Sequence, residues 1–116
     1  MKDLTMHRIL NIKIFSITFI ILIFSFGPLY PQSGKYLEQA VSAMEAGLFK
    51  EALKQLDIAQ SKEPNNAEVY KLKALLHEAI YENNKAIRAW ENCIKNTQND
   101  DLINEARIHL NNLQEY

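Results

Sequence analysis

Shifted by 34 residues, much of the chain falls on itself. With residues 33–66 laid on 67–100, Tyr36 meets Tyr70, Ala40 meets Ala74 and Ala52 meets Ala86. Leu53 then meets Ile87, Leu56 meets Trp90, and Ala59 meets Cys93. Large residues fall on large, small on small. A period of this length marks one supersecondary unit used twice, whose apolar face is covered only by stacking on a neighbour. Each unit reads as two helices with a short turn between them. In the first unit the helices are expected at about 35–46 and 50–62, with Gly47 at the turn as a C′ glycine. Within the second of these, Ala52, Leu53, Leu56 and Ala59 stand at i, i+1, i+4 and i+7, an apolar stripe of helical period. The run Lys62-Glu63-Pro64-Asn65-Asn66 stops that helix, and Asn66 is placed to cap the next. Residues 101–113 read as a further helix with Leu102, Ala106, Leu110 and Leu113 on one face, capped by Asp100 or Asp101. Gly and Pro number three each, and four of these six lie within residues 27–34. That leaves too little turn chemistry elsewhere for a β-rich fold.

The N-terminal part has a different character. Residues 1–33 carry Lys2, Arg8 and Lys13 against Asp3, net +2, whereas residues 34–116 carry ten Lys and Arg against thirteen Asp and Glu, net −3. Behind the basic tip, residues 14–26 (IFSITFIILIFSF) hold no charge. This order is that of a secretory signal peptide, whose apolar core runs about 7–15 residues. Extended over residues 9–30, the run reaches roughly 20 residues, enough to span a bilayer of about 30 Å. Positive charge ahead of the span would keep the tip in the cytoplasm and send the remainder across. Both readings export residues 34–116 to the periplasm or cell envelope, free or anchored at the cytoplasmic membrane. Small residues suited to cleavage stand at Ser25 and Gly27, but Pro28 would then start the mature chain; Ser33 or Gly34 as the last residue removed puts Pro31 or Gln32 two places before it. No cysteine stands directly after the apolar run, which excludes a bacterial lipoprotein anchor. Residues 27–34 (GPLYPQSG) form a linker that does not continue a helix.

The repeated residues resemble the tetratricopeptide repeat, whose period is also 34. The first unit matches that pattern with Tyr36, Ala40, Gly47, Phe49, Ala52, Leu56, Ala59 and Pro64, and departs from it at Gln39 and Ala43, where apolar residues are usual. The second unit keeps Tyr70, Ala74, Ala86, Trp90 and Cys93, but has Tyr81 for the glycine, Asn83 for the aromatic and Gln98 for the proline. The resemblance covers residues 33–100. It implies an all-α fold of antiparallel helix-turn-helix repeats, a right-handed solenoid of two repeats plus a capping helix. A separate hydrophobic N-terminal helix would precede it. Residues 1–33 would then be the signal or anchor with its linker, and 34–116 the repeat domain.

Little in the chain points to chemistry. The near-balanced charge gives no clustered basic surface for nucleic acid. A single cysteine, Cys93, excludes an intramolecular disulfide and a cysteine zinc cluster. Cys93 stands where the repeat pattern takes a small buried residue. His7 lies in the N-terminal segment; His77 and His109 have no tight ligand spacing and read as helix-surface histidines. Glycine-rich phosphate loops and hydrolase motifs are absent from the sequence. No catalytic residue, cofactor or metal is therefore expected, and the chain reads as non-enzymatic.

The resemblance instead implies function on the concave surface lined by first helices. The corresponding places are Gly34, Leu37, Val41, Met44 and Glu45, then Glu68, Lys71, Leu75, Glu78 and Ala79. Of these, Leu37, Val41, Met44, Glu45, Lys71, Leu75 and Glu78 are the candidate partner-binding residues. They form an apolar strip bordered by charge, suited to an amphipathic helix or extended peptide of another protein. Members that clamp a terminal carboxylate place Lys and Asn in this groove; Leu37, Val41 and Leu75 stand there instead, so that activity is not carried over. Two functional expectations follow. One is an envelope adaptor that binds a partner protein or peptide. The other is a self-associating structural module that buries the same strip in a homo-oligomer.

Overall fold

The structure, a computed structural model, describes residues 32–115, and these form five α-helices and no strand. They are α1 (Gly34–Glu45), α2 (Phe49–Lys62), α3 (Ala67–Ala79), α4 (Asn83–Lys95) and α5 (Asp100–Gln114). The helices belong to a compact unit that begins at Gln32. The signal or anchor segment expected over residues 1–33 lies outside the described residues but for its last two.

Each helix starts and stops for a local reason. Asn66 caps α3 as expected, its side-chain oxygen accepting from the Glu68 amide at 3.0 Å. At α5 the cap is Asn99, not Asp100 or Asp101. Its extended backbone aims Oδ1 at the amides of Asp101 (2.9 Å) and Leu102 (3.3 Å). The two aspartates fall instead in the first turn, where their charge faces the positive end of the helix dipole. The α1–α2 and α3–α4 turns are built alike. Gly47 N–H donates to Met44 and Leu48 N–H to Ala43; 34 residues later Tyr81 N–H donates to Glu78 and Glu82 N–H to His77. Both are the paired bonds of a Schellman ending, which needs a left-handed residue at C′. Gly47 takes φ +73 and Tyr81 takes φ +60. The second turn thus keeps the glycine backbone without the glycine.

The connections are short (46–48, 63–66, 80–82, 96–99), so helices adjacent in sequence pack on one another, and α1 also touches α3. This arrangement is compatible with a helical repeat. The matched small and large residues carry the packing. Ala40 and Ala74, Ala52 and Ala86, Leu56 and Trp90, and Ala59 and Cys93 all have 0% exposure. Alanine and cysteine let helices approach closely, and Leu56 and Trp90 fill the space between them. One core cluster joins Ala40, Ala43, Ala52, Leu56, Leu72 and Leu76. A second joins Ala74, Ala89, Trp90, Cys93 and Ala106. The α3 helix contributes to both, so the two cores share a wall. Burying a side chain the size of Leu56 or Leu76 stabilises by about 1.5–3 kcal/mol.

Candidate functional site

The α1 helix presents Leu37, Glu38, Val41, Ser42 and Glu45 along one side, one turn apart or adjacent. With Glu68 and Leu72 from α3 they line an open depression of about 370 Å³. Leu72 lies in the first core cluster and forms the apolar floor, with Leu37 packed beside it. Val41 is 38% exposed, large for an aliphatic side chain on a helix that packs on two others. Around this floor stand the carboxylates of Glu38, Glu45 and Glu68, all three exposed. None of them forms an ion pair among the described residues.

The seven candidate residues do not form one strip. Leu37, Val41 and Glu45 come together in the depression. Met44 packs against the first core cluster. Lys71, Leu75 and Glu78 meet α5 instead. Lys71 Nζ lies 3.0 Å from Glu105 Oε2, and that carboxylate raises the lysine pKa above its ordinary value. Leu75 packs against the second cluster, alongside Leu102, Leu110 and Leu113. Glu78 accepts from the Trp90 indole N–H and lies 2.9 Å from His109 Nδ1. The His109 ring stacks on Trp90 at 4.5 Å between centroids. Sequence reasoning missed Glu38, Ser42 and Leu72 as lining residues, although Glu38 and Ser42 stand one place after Leu37 and Val41 on the same helix. Glu68 occupies a concave place in the repeat pattern and was legible there.

A helix-surface position does not hold for His77, which is 8% exposed with Nδ1 2.7 Å from Glu82 Oε2. His109 remains partly exposed on α5, with its ring stacked on Trp90 and Nδ1 2.9 Å from Glu78 Oε1. Both imidazoles make tertiary contacts or close turns. Lys85 and His77 together hold the Glu82 carboxyl below its ordinary range, Lys85 being the larger influence. Cys93 is buried, as its match to the small Ala59 leads one to expect, and burial pushes its thiol up to about 11. Among the described residues, no group of three or more His, Cys, Asp or Glu side chains is placed to hold a metal ion, and no helix is long and apolar enough to cross a membrane.

A second, larger depression of about 480 Å³ adjoins the first, sharing Glu38 and Ser42 with it and extending over Gln39, Ala43, Ala46, Leu48, Glu51 and Gln55 between α1 and α2. Its lining is richer in polar side chains, and Gln39 there takes a place where the tetratricopeptide pattern has an apolar residue.

Comparisons with protein-family models, with curated proteins and with solved structures return no match. The described chain is a five-helix all-α domain.

Proposed function

We propose that this chain is a tetratricopeptide-like repeat module, exported to or anchored at a cell envelope through residues 1–33, that acts by protein–protein contact. The depression over Leu37, Val41 and Leu72 carries the reading: an apolar floor opens to solvent between α1 and α3, which touch only lightly. The groove is shorter than the repeat pattern implies, because α5 covers the second unit's share of it. Its size suits a few side chains of a helix or extended segment, not a folded domain. The matched burial of residues 34 apart supports the repeat reading.

A random-peptide library selected against the full chain in neutral detergent, and counter-selected on a Val41→Arg variant, tests the groove. Enrichment of peptides with apolar residues at helical spacing, lost in the variant, supports it. A dimer by sedimentation, with slowed amide exchange over residues 37–45 and no enrichment, replaces it by self-association through the same face. A monomer without enrichment overturns both. Intact mass of the chain in separated fractions of its own cells tests the export half: a full-length chain in the cytosol overturns that half.

A further inference from the structure

We infer that the α1–α3 depression selects a cationic amphipathic segment, one whose apolar residues at i and i+4 are flanked by Lys or Arg. The inference rests on the groove reading above and specifies its partner.

The floor and the rim differ in kind. Leu37, Val41 and Leu72 supply the contact surface, while every charged residue of the lining is a glutamate: Glu38 and Glu45 from α1, Glu68 from α3. The carboxylates come from both walls, so a segment seated along Leu37 and Val41 has negative charge on each side of it. The cations nearest in sequence on α3 pair with other carboxylates, although Lys71 also feels the charge of Glu68. Lys71 is held at 3.0 Å by Glu105, and Lys73 at 2.6 Å by Asp57. Residues 34–116 as a whole carry net −3, so the wider field has the same sign as the rim. Electrostatic complementarity of this kind sets partner choice and approach rate, with apolar contact supplying the adhesion. An acidic segment of equal hydrophobicity would place like charges against both walls.

The test uses the full chain in neutral detergent and two labelled peptides of about four helical turns. They share one Leu/Met face and differ only in Lys against Glu on their flanks. Binding is read by fluorescence anisotropy against protein-free micelles. The Lys peptide is expected to bind on the order of tenfold more tightly at low salt, with the preference shrinking at about 300 mM salt as screening shortens. A Glu38→Gln/Glu45→Gln/Glu68→Gln variant, checked for unchanged helicity, is expected to bind the two peptides alike. Equal binding of both peptides to the unaltered chain, abolished for both by Val41→Arg, overturns the charge inference and leaves the groove standing. Tighter binding of the Glu peptide, or a Lys preference that survives the triple variant, also overturns it. Binding of neither peptide overturns the inference and the groove together.

Discussion

Tyr81 adopts a backbone conformation that costs an L-residue energy, and it does so with its side chain 90% exposed, so packing contributes nothing toward it. The surrounding turn holds it there. His77 O accepts from the Glu82 amide, and His77 Nδ1 faces the Glu82 carboxylate, so the two residues before and after the turn are tied twice. In the first unit the equivalent residues are Ala43 and Leu48, and a glycine suffices. Tyr81→Gly is therefore expected to stabilise the chain by about 1 kcal/mol, and Gly47→Ala to destabilise it by a similar amount, both read from urea unfolding midpoints. Cys93 makes a second residue-scale case. Burial raises its pKa to about 11, so little thiolate is present near pH 8. Iodoacetamide should label it slowly in the native chain and quickly in denaturant, with mass spectrometry as readout; fast native labelling would contradict its burial. The sequence shows that Tyr81 stands in the glycine place, and that Cys93 stands in a small one. It does not show which way each conflict resolves. At Cys93 side-chain volume decides, and volume is readable. At Tyr81 the backbone prevails through hydrogen bonds that form only once the turn exists.

At the scale of elements, α5 shows where periodicity stops being informative. Its apolar face (Leu102, Ala106, Leu110, Leu113) was legible, and all four residues take part in the second core cluster. Its polar ties were not legible. Lys71 and Glu105 are 34 residues apart, and Glu78 and His109 are 31 apart. No short-range pattern pairs a groove glutamate with a histidine on a helix two elements later. Those ties reassign Lys71, Leu75 and Glu78 from a free groove to a helix–helix contact. Trp90, the only tryptophan in the chain, reports on that contact directly. Removing its acceptor with Glu78→Ala leaves a buried indole N–H unsatisfied, and is expected to cost about 1–3 kcal/mol. A red shift of tryptophan emission, early in a urea titration, would mark α5 lifting first. A variant as stable as the original would show that water replaces the carboxylate without cost.

Across the whole molecule, stability should depend on pH in a direction set by two glutamates. Glu63 is held below its ordinary range by the Ser33 hydroxyl first and the Asn66 amide second, Glu82 by Lys85 first and His77 second. A carboxyl whose folded pKa is depressed contributes stability that is present above the ordinary glutamate range and is lost as pH falls through the folded value. The melting temperature is thus expected to drop between about pH 5 and pH 3, and to drop less steeply in a Glu63→Gln/Glu82→Gln variant. Parallel curves for the two chains would assign the acid sensitivity to other groups. The same glutamate joins the start of the domain to its middle. Ser33 has no exposed surface, donates to Glu63 and accepts from Asn66 Nδ2 at 3.1 Å. The Ser33–Gly34 bond looks like a natural place to trim the chain. A fragment that begins at Gly34 would nevertheless carry a hole at its first helix, and would leave the Glu63 carboxylate and Asn66 Nδ2 with only their bond to each other, 3.0 Å, in place of the shared Ser33 hydroxyl. The shortest fragment that keeps this knot tied begins one residue earlier than the helix does.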